Sequence, residues 1–243
     1  FVPDAPLFGI DPAANEPDRI VGPISAIWLA VVCLPLFFMT PDKPGARMPM
    51  GRAISHGVRT LGGTIRSMSH FKNVALFLGA RMIFYDGLNA VFVFGGVFAA
   101  SIFGWGVLEL ALYGMLSIGS SGLGGMIGAW ADPRFGSKKT IISSLVVSAL
   151  MVIGFVSVDK DQIFFVMHFD ISNASGLFST VPEQTILIMT MFFSLSVGPV
   201  IASSRTMMAK LSPHEHMTEF FGLYALAGKA TSFVAPMLIG FMT

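Results

Sequence analysis

Three ionisable residues lie well away from the ends of long apolar runs of this sequence, where a charge is expensive. Arg81 and Asp86 lie in the run from residue 74 to 100, and Lys229 lies in the run from 219 to 242. Because an ionisable group at the bilayer centre costs roughly 2.5–3.5 kcal/mol, such groups usually face a bundle interior or a water-filled cavity. Two cations and one anion suit binding of an anionic group, such as a solute carboxylate, or proton coupling. A fixed salt bridge that only holds helices together is the structural alternative.

The spacing of the polar residues around Arg81 gives them a common direction. Arg81, Tyr85 and Asn89 follow i, i+4, i+8 spacing, and Asp86 lies three residues before Asn89. At 3.6 residues per turn these four residues form a wedge about 140° wide, opposite a face of Phe, Val and Ala. We predict that the wedge faces other helices or a solute pathway and that Lys229 shares this interior. Asp86 is then the best candidate for the coupling group.

Two further patterns are weaker candidates for chemistry. The HEH sequence at 214–216, with Glu219, lacks the spaced histidine and carboxylate set of a metal site, so we expect the start of a helix there. The glycine-rich GSSGLGGMIG at 119–128 lies in an apolar run with no strand before it, which argues against a phosphate loop. We expect no metal, no cofactor and no enzymatic activity, since no nucleophile–base pair is clustered in the apolar runs.

Small residues and a proline predict how the helices pack. Pro199 follows Gly198 in the fifth apolar run, and a proline removes a backbone hydrogen bond and kinks a helix. We therefore expect an interruption there, which either lines a solute site or serves packing alone. Close helix packing is predicted where small residues recur every four positions, at Ser117, Ser121, Gly125 and Ala129.

The elements that carry these residues are expected to be membrane helices. The chain has 243 residues, of which 53% are hydrophobic and 12% are charged, whereas soluble domains carry about 25% charged residues. A helix needs about 20 mostly apolar residues to cross a bilayer. The sequence predicts an all-α, polytopic membrane helical bundle of about six transmembrane helices, with no sheet. The six stretches that qualify are residues 20–39, 74–100, 107–131, 140–158, 184–209 and 219–242.

The basic residues predict the orientation of these helices. Eleven of the 15 Lys and Arg residues lie in segments 40–73, 132–139 and 210–218, together with the adjoining end of the fifth run. Arg19 and Lys160 lie on the opposite side. By the positive-inside rule, the segments rich in Lys and Arg are cytoplasmic.

The first cytoplasmic segment, residues 40–73, contains a basic amphipathic pattern from residue 52 to 68. Such a pattern is typical of a helix that lies on an anionic cytoplasmic leaflet. A solvated connector is the alternative, because Gly57, Gly62 and Gly63 weaken the helix. The two faces consist of an apolar stripe, Ile54, Val58, Leu61, Ile65 and Met68, and a basic set, Arg52, Arg59 and Arg66.

The stretch GAWADPRFGSKK at 128–139 resembles the loop signature of the major facilitator superfamily, which implies a part in conformational change. Pro133 stands at the usual basic position, and one extra residue lies between Asp132 and Gly136. We expect Asp132 either to cap the next helix or to pair with basic residues across a helix interface. The residues assigned to this loop motif are Gly128, Asp132, Arg134, Gly136, Lys138 and Lys139.

Two longer segments, residues 80–100 and 198–233, look like one branch of that superfamily, the vacuolar amino-acid effluxers of autophagy and their bacterial permease relatives. The resemblance covers about residues 74–243. A full member has twelve spans in two six-helix halves. The resemblance therefore implies four parts of an incomplete protein: residues 1–19 as an extracytoplasmic loop, 20–39 as the last helix of the N-terminal half, 40–73 as the cytoplasmic central loop, and 74–243 as five helices of the C-terminal half.

The same resemblance implies a secondary transporter that moves a small polar solute by alternating access, with amino-acid efflux as the candidate activity. A non-transporting assembly factor or receptor on the same scaffold is the alternative. The expected partners are the solute, protons, membrane lipids and the remaining helices of the full-length protein, with no nucleic acid. The expected location is the bacterial cytoplasmic membrane, or the vacuolar membrane in a eukaryote. The residues assigned to substrate binding and coupling are Arg81, Tyr85, Asp86, Asn89, Arg205, Tyr224 and Lys229.

Overall fold

Helices make up nearly all of the regular structure in the computed structural model, which describes residues 16–40, 49–67, 71–164, 166–168, 176–230, 232–234 and 237. The predicted all-α polytopic membrane bundle is confirmed. Phe1–Ser55 and His56–Thr243 form two compact units, and the domain boundaries expected from the sequence stay a prediction. The helices are α1 Glu16–Met39, α2 Met50–Ser67, α3 Lys72–Phe103, α4 Val107–Phe135, α5 Ser137–Val156, α6 Val181–Leu211 and α7 Met217–Ala227.

Five of these helices, α1, α3, α4, α5 and α6, are long and apolar enough to cross a membrane. The sixth predicted span, residues 219–242, does not form one continuous helix among the residues that the structure describes. Its first part is α7, which has 11 residues and a length of about 16 Å at 1.5 Å per residue, roughly half of a bilayer core. The chain turns at residues 228–230, and residues 231, 235–236 and 238–243 lie outside the description.

The amphipathic segment forms a helix, as predicted. Helix α2 covers Met50–Ser67, and Arg52, Ile54 and Arg59 are exposed on it. Met68, the last member of the predicted apolar stripe, lies outside the described residues. Binding of this helix to an anionic leaflet stays a prediction.

The prediction that the chain contains no sheet is wrong for one short hairpin in the loop between α5 and α6. Strands β1 (Gln162–Ile163) and β2 (Met167–His168) pair antiparallel. Ile163 and Val158 form an additional bridge, and both side chains are buried against the apolar cluster around Trp105. Strands of two residues have no hydrophobic alternation to detect, so the burial of two side chains decides this local structure.

Helix α6 is the central element of the second unit. It packs along both α4 and α5, and it also contacts α3 and α7. Phe193, Val197 and Val200 of α6 are buried in one hydrophobic core together with Phe77 of α3 and Phe220 of α7. The candidate site on α3 is therefore positioned by α6 on one side and by α7 on the other.

Helices α4 and α6 cross at very short range through glycines. A Cβ on Gly124 would collide with the Leu195 carbonyl group, and a Cβ on Gly128 would lie 2.7 Å from Pro199 Cα. Close packing of this helix is thus observed, but the small buried residues differ from the predicted stripe. Ser120, Gly124 and Gly128 each lie one residue before a predicted position, so the buried face is rotated by about 100° from the predicted stripe. The buried residues of α4 are Ser117, Ser120, Gly124, Gly128 and Asp132.

The predicted interruption at Gly198 and Pro199 is not observed, because α6 is continuous from Val181 to Leu211. Proline lacks an N–H, so the carbonyl of the residue four positions earlier, Leu195, receives no helical hydrogen bond from it. That carbonyl lies against Gly124 of α4. The proline therefore contributes to the α4–α6 crossing rather than to a break in the helix.

Candidate functional site

The guanidinium of Arg81 lies between two tyrosine rings. Arg81 projects from α3 and is 6% exposed. Its Nη1 donates a hydrogen bond to the Tyr224 carbonyl oxygen at 2.6 Å. Its Cζ lies 3.6 Å from the centroid of the Tyr224 ring and 4.8 Å from that of Tyr85. A cation over aromatic faces is attracted by the ring quadrupoles, and the attraction strengthens when water is excluded.

The end of α7 is built to receive this guanidinium. The helix ends at Ala227, and the Tyr224 carbonyl also accepts a hydrogen bond from the Gly228 N–H at 3.3 Å. A Cβ on Gly228 would lie 2.6 Å from Nη1 of Arg81 and 2.8 Å from Nη2. A glycine is therefore needed for this close approach. A cation at the C-terminal end of a helix is also favourable, because the helix dipole is negative there.

Two polar atoms on α3 make no hydrogen bond. Arg81 Nε and Asp86 Oδ1 are buried, and neither has a hydrogen-bond partner. Among the described residues, no ion pair joins Asp86 to Arg81 or to Lys229. A buried donor or acceptor without a partner costs about 1–3 kcal/mol, and more if it is charged. The site thus retains a guanidinium donor and a carboxylate oxygen that another group can satisfy.

The structure brings only part of the predicted substrate set together. Arg81, Tyr85 and Tyr224 meet at the α3–α7 contact. Lys229 is exposed and lies in the turn that follows α7. The roles of all these residues stay a prediction. The other members are placed as follows: Asp86 and Asn89 are half-buried on α3, and Arg205 is exposed on α6.

A second polar cluster joins the ends of α4, α5 and α6 on the predicted cytoplasmic side. Asp132 is 6% exposed and lies in the last turn of α4. Its Oδ1 accepts hydrogen bonds from Ser137 Oγ at 2.7 Å and from Lys210 Nζ at 3.1 Å. Lys210 Nζ also donates to Ser137 Oγ at 2.9 Å. Of the two interactions expected for Asp132, the structure shows the pairing with a basic residue across a helix interface.

The loop motif around Asp132 has a tight backbone. Gly136 is the single residue between α4 and α5, and its φ of 85° with ψ of 146° lies in a region that favours glycine. The Arg134 guanidinium lies 4.0 Å from the centroid of the Trp130 ring. Gly128 packs on α6, whereas Lys138 and Lys139 are exposed. The motif glycines and Asp132 therefore fix the helix junction, and its lysines remain available at the surface.

Sequence reasoning missed the partners of Asp132. Lys210 was counted only as one of eleven cytoplasmic basic residues, and Ser137 was assigned no contact. Lys210 lies in the last turn of α6, 78 positions from Asp132. The sequence predicts that Asp132, if buried, pairs with a cation. It does not predict which of the eleven cations this is, because that depends on which helix ends are neighbours.

The HEH segment and Glu109 both lie at helix starts. His214–His216 forms a turn of 3-10 helix that leads into α7, as expected for a helix start. His216 Nδ1 lies 3.5 Å from Glu219 Oε2. Glu109 accepts a hydrogen bond from the Gly106 N–H at 3.0 Å, at the beginning of α4.

Comparison with known proteins places this architecture in a family. The sequence model of the family described as "Vacuole effluxer Atg22 like" matches residues 13–243. Autophagy-related protein 22 of Pichia angusta is 24% identical over 252 residues, which cover 92% of this chain and 42% of that protein. Autophagy-related protein 22-1 of Aspergillus niger is 20% identical over 238 residues, which cover 93% of this chain and 37% of that protein.

The relatives are longer than this chain. Autophagy-related protein 22 of Coccidioides immitis is 23% identical over 241 residues, which cover 93% of this chain and 38% of that protein. The chain thus spans about two fifths of the length of these curated relatives. No solved structure matches it significantly. The match over nearly the whole chain confirms the branch that the sequence predicted, and the chain belongs to the family of Atg22-like vacuole effluxers.

Proposed function

We propose that the complete protein is a secondary transporter that moves a small polar solute out of a compartment by alternating access, with amino acids as the solute class. The effluxer description of the family supports this direction. The observation that carries the proposal is the buried guanidinium of Arg81, which has no carboxylate partner among the described residues. A buried cation that serves only to hold helices together is usually paired with an anion.

The Arg81 site suits a carboxylate. A guanidinium has five N–H donors in a planar fork, and it binds carboxylates through two parallel hydrogen bonds. Nη1 contacts the Tyr224 carbonyl, whereas the buried Nε has no partner. The tyrosine rings fix the plane of the fork. A solute carboxylate that approaches this fork satisfies Nε and neutralises the buried charge.

The position of the site at the end of α7 couples binding to helix motion. Helix α7 ends about halfway through a bilayer core, and ends of discontinuous helices often form transporter sites. A carboxylate on Arg81 neutralises the charge that the Tyr224 carbonyl and the negative end of the α7 dipole attract. Binding of the solute thereby weakens the contact between α3 and α7. Release of α7 is the proposed step that changes access to the site.

The cluster of Asp132, Ser137 and Lys210 suits a role in closing the cytoplasmic side. It ties three helix ends together through one carboxylate oxygen. Lys210 keeps a side-chain exposure of 56%, so it can separate from Asp132 without leaving a buried cation behind. A reversible contact of this kind can form in one conformation of the transporter and open in the other.

The remaining partners follow from the orientation. We place α2 on the anionic cytoplasmic leaflet and the missing helices of the full-length protein across the solute site from α3. Protons are the proposed coupling ion, with Asp86 as the coupling group, because its buried Oδ1 has no hydrogen-bond partner. The fungal relatives and the family description support a vacuolar membrane, and nothing in the comparisons supports a bacterial one.

The test is a flux assay with the complete protein in proteoliposomes. We expect efflux of radiolabelled L-leucine to be inhibited by unlabelled amino acids and not by leucinamide, which lacks the carboxylate. With an imposed pH gradient, Asp86→Asn should lose the pH dependence, and Glu109→Gln should keep it. Equal inhibition by leucinamide contradicts the role of the carboxylate. Absence of flux for a broad panel of polar solutes contradicts transport and favours a receptor or assembly factor.

A further inference from the structure

Two cavities adjoin at the predicted cytoplasmic ends of α3, α5 and α6, away from the Arg81 site. The first has a volume of about 480 Å³ and is lined by the start of α3 and the end of α6, including Lys72 and Lys210. The second has a volume of about 380 Å³ and lies between α3 and α5. Asn73 and Leu211 line both cavities. Each volume falls within the range of small-molecule sites.

The cytoplasmic end of this pair of cavities is cationic. Lys72 and Lys210 line the first cavity, and Lys138 lines the second. Lys72 and Lys138 are exposed, and no ion pair engages either of them within the described parts of the chain. Lys210 donates to Asp132 and Ser137, which leaves one of its three N–H donors free. Three lysines thus line the two cavities, and only Lys210 is paired with a carboxylate.

The second cavity is apolar away from its lysine and its asparagine, and two of its lining residues are exposed on the protein surface. Leu76 of α3 is 76% exposed and Ile142 of α5 is 51% exposed, and both line the second cavity. Ala80, Phe84 and Leu145 complete its apolar wall. These residues belong to two helices long and apolar enough to span the membrane. The second cavity is therefore an open groove at the depth of the lipid hydrocarbon, with a basic rim at its cytoplasmic end.

We propose that this groove binds an anionic glycerophospholipid of the cytoplasmic leaflet. The phosphate of the headgroup contacts Lys72, Lys138 and the free donor of Lys210, and one acyl chain lies along the groove between α3 and α5. The charge complementarity and the order of the two environments, polar next to apolar, favour this ligand. Clusters of basic residues on the cytoplasmic side of membrane helices attract anionic headgroups. Inorganic phosphate lacks the acyl chain, and a zwitterionic lipid lacks the net charge.

The site is tested by thermal unfolding of the full-length protein, purified in detergent and stripped of lipid. The probes are dihexanoyl phosphatidylglycerol, dihexanoyl phosphatidylcholine and inorganic phosphate. We expect a saturable rise in the unfolding midpoint with phosphatidylglycerol only. The double variant Lys72→Gln/Lys138→Gln should need roughly 30-fold more of it, because a lysine near an anionic headgroup contributes about 1 kcal/mol and 1.4 kcal/mol is a factor of ten.

The matched control is the double variant Lys139→Gln/Lys160→Gln, which removes the same charge from two exposed lysines outside both cavities. It should retain the affinity of the unmodified protein. Ala80→Trp fills the groove and should weaken lipid binding while all lysines remain. Equal stabilisation by phosphatidylcholine or by phosphate overturns the proposal, as does an equal loss in the control. The absence of any saturable stabilisation also overturns it.

Discussion

At the scale of single side chains, the partners of Arg81 are not acidic residues. Its charge faces two aromatic rings and one backbone carbonyl, and the contact spans 143 positions of sequence. The cost of a charge in an apolar run predicts that Arg81 is buried. No side-chain pattern predicts its acceptor, because a carbonyl oxygen is present at every residue. The burial of Arg81 could therefore be predicted from the sequence, and its contact with the Tyr224 carbonyl could not.

Gly228→Ala should displace the Arg81 guanidinium, since the new Cβ would lie 2.6–2.8 Å from its nitrogens. We expect a loss of stability of about 1–3 kcal/mol, which is typical of overpacking, together with weaker solute binding. Thermal unfolding and solute binding of the complete protein measure both effects. The control is Gly222→Ala on the same helix, where a Cβ meets no atom within 4 Å. Similar behaviour of the two variants contradicts the close contact.

The Asp132–Lys210 contact should be measurable as a coupling energy. Because the Lys210 side chain is 56% exposed, solvent screens the pair, and we expect a coupling of about 0.5–1 kcal/mol from a double-mutant cycle. The variants are Asp132→Asn, Lys210→Gln and their combination, read by the unfolding midpoint. Lys139→Gln with Asp132→Asn gives the control cycle, which should show no coupling. Strictly additive effects of Asp132→Asn and Lys210→Gln contradict the contact.

At the scale of secondary-structure elements, side-chain hydrogen bonds connect α6 to α4, or to the residues just before it, near both ends of α6. Trp105, just before α4, donates to Glu183 near the start of α6 at 3.0 Å, and Lys210 reaches Asp132 at the other end. Apolar length predicts five of the spans well. Apolar length predicts the sixth span wrongly. The run of residues 219–242 remains apolar past Ala227, but helix α7 ends there. The chain turns at residues 228–230 inside this apolar run, and a hydropathy average is insensitive to such a local turn.

Gly124→Ala should disrupt the crossing of α4 and α6. Its Cβ would collide with the Leu195 carbonyl group, with the carbonyl carbon at 2.8 Å, and backbone cannot move aside as a side chain can. We expect a loss of about 1–3 kcal/mol or more, read as a lower unfolding midpoint and a smaller folded fraction in detergent. Gly122→Ala on the same helix meets open space and should be neutral. A neutral Gly124→Ala would show that the helices lie farther apart.

The whole molecule has an orientation that follows from its basic residues. Lys139 and Lys160 are both exposed and lie at opposite ends of α5. In the complete protein with its own cysteines, Cys33 included, replaced by alanine, Lys139→Cys and Lys160→Cys should react with a membrane-impermeant maleimide from opposite sides. Sealed vesicles of known orientation give the measurement, with Lys139→Cys labelled from the cytoplasmic side. Labelling of both cysteines from one side contradicts the membrane path of α5.

The most direct test of the account is solute efflux by Arg81→Lys in proteoliposomes, normalised to the amount of folded protein. Lysine keeps the charge but loses the planar fork that binds a carboxylate through two hydrogen bonds. Loss of one charge-assisted hydrogen bond costs about 1.5–3 kcal/mol, so we predict efflux reduced at least about tenfold with folding retained. Unchanged efflux by Arg81→Lys would contradict recognition of the solute at this site.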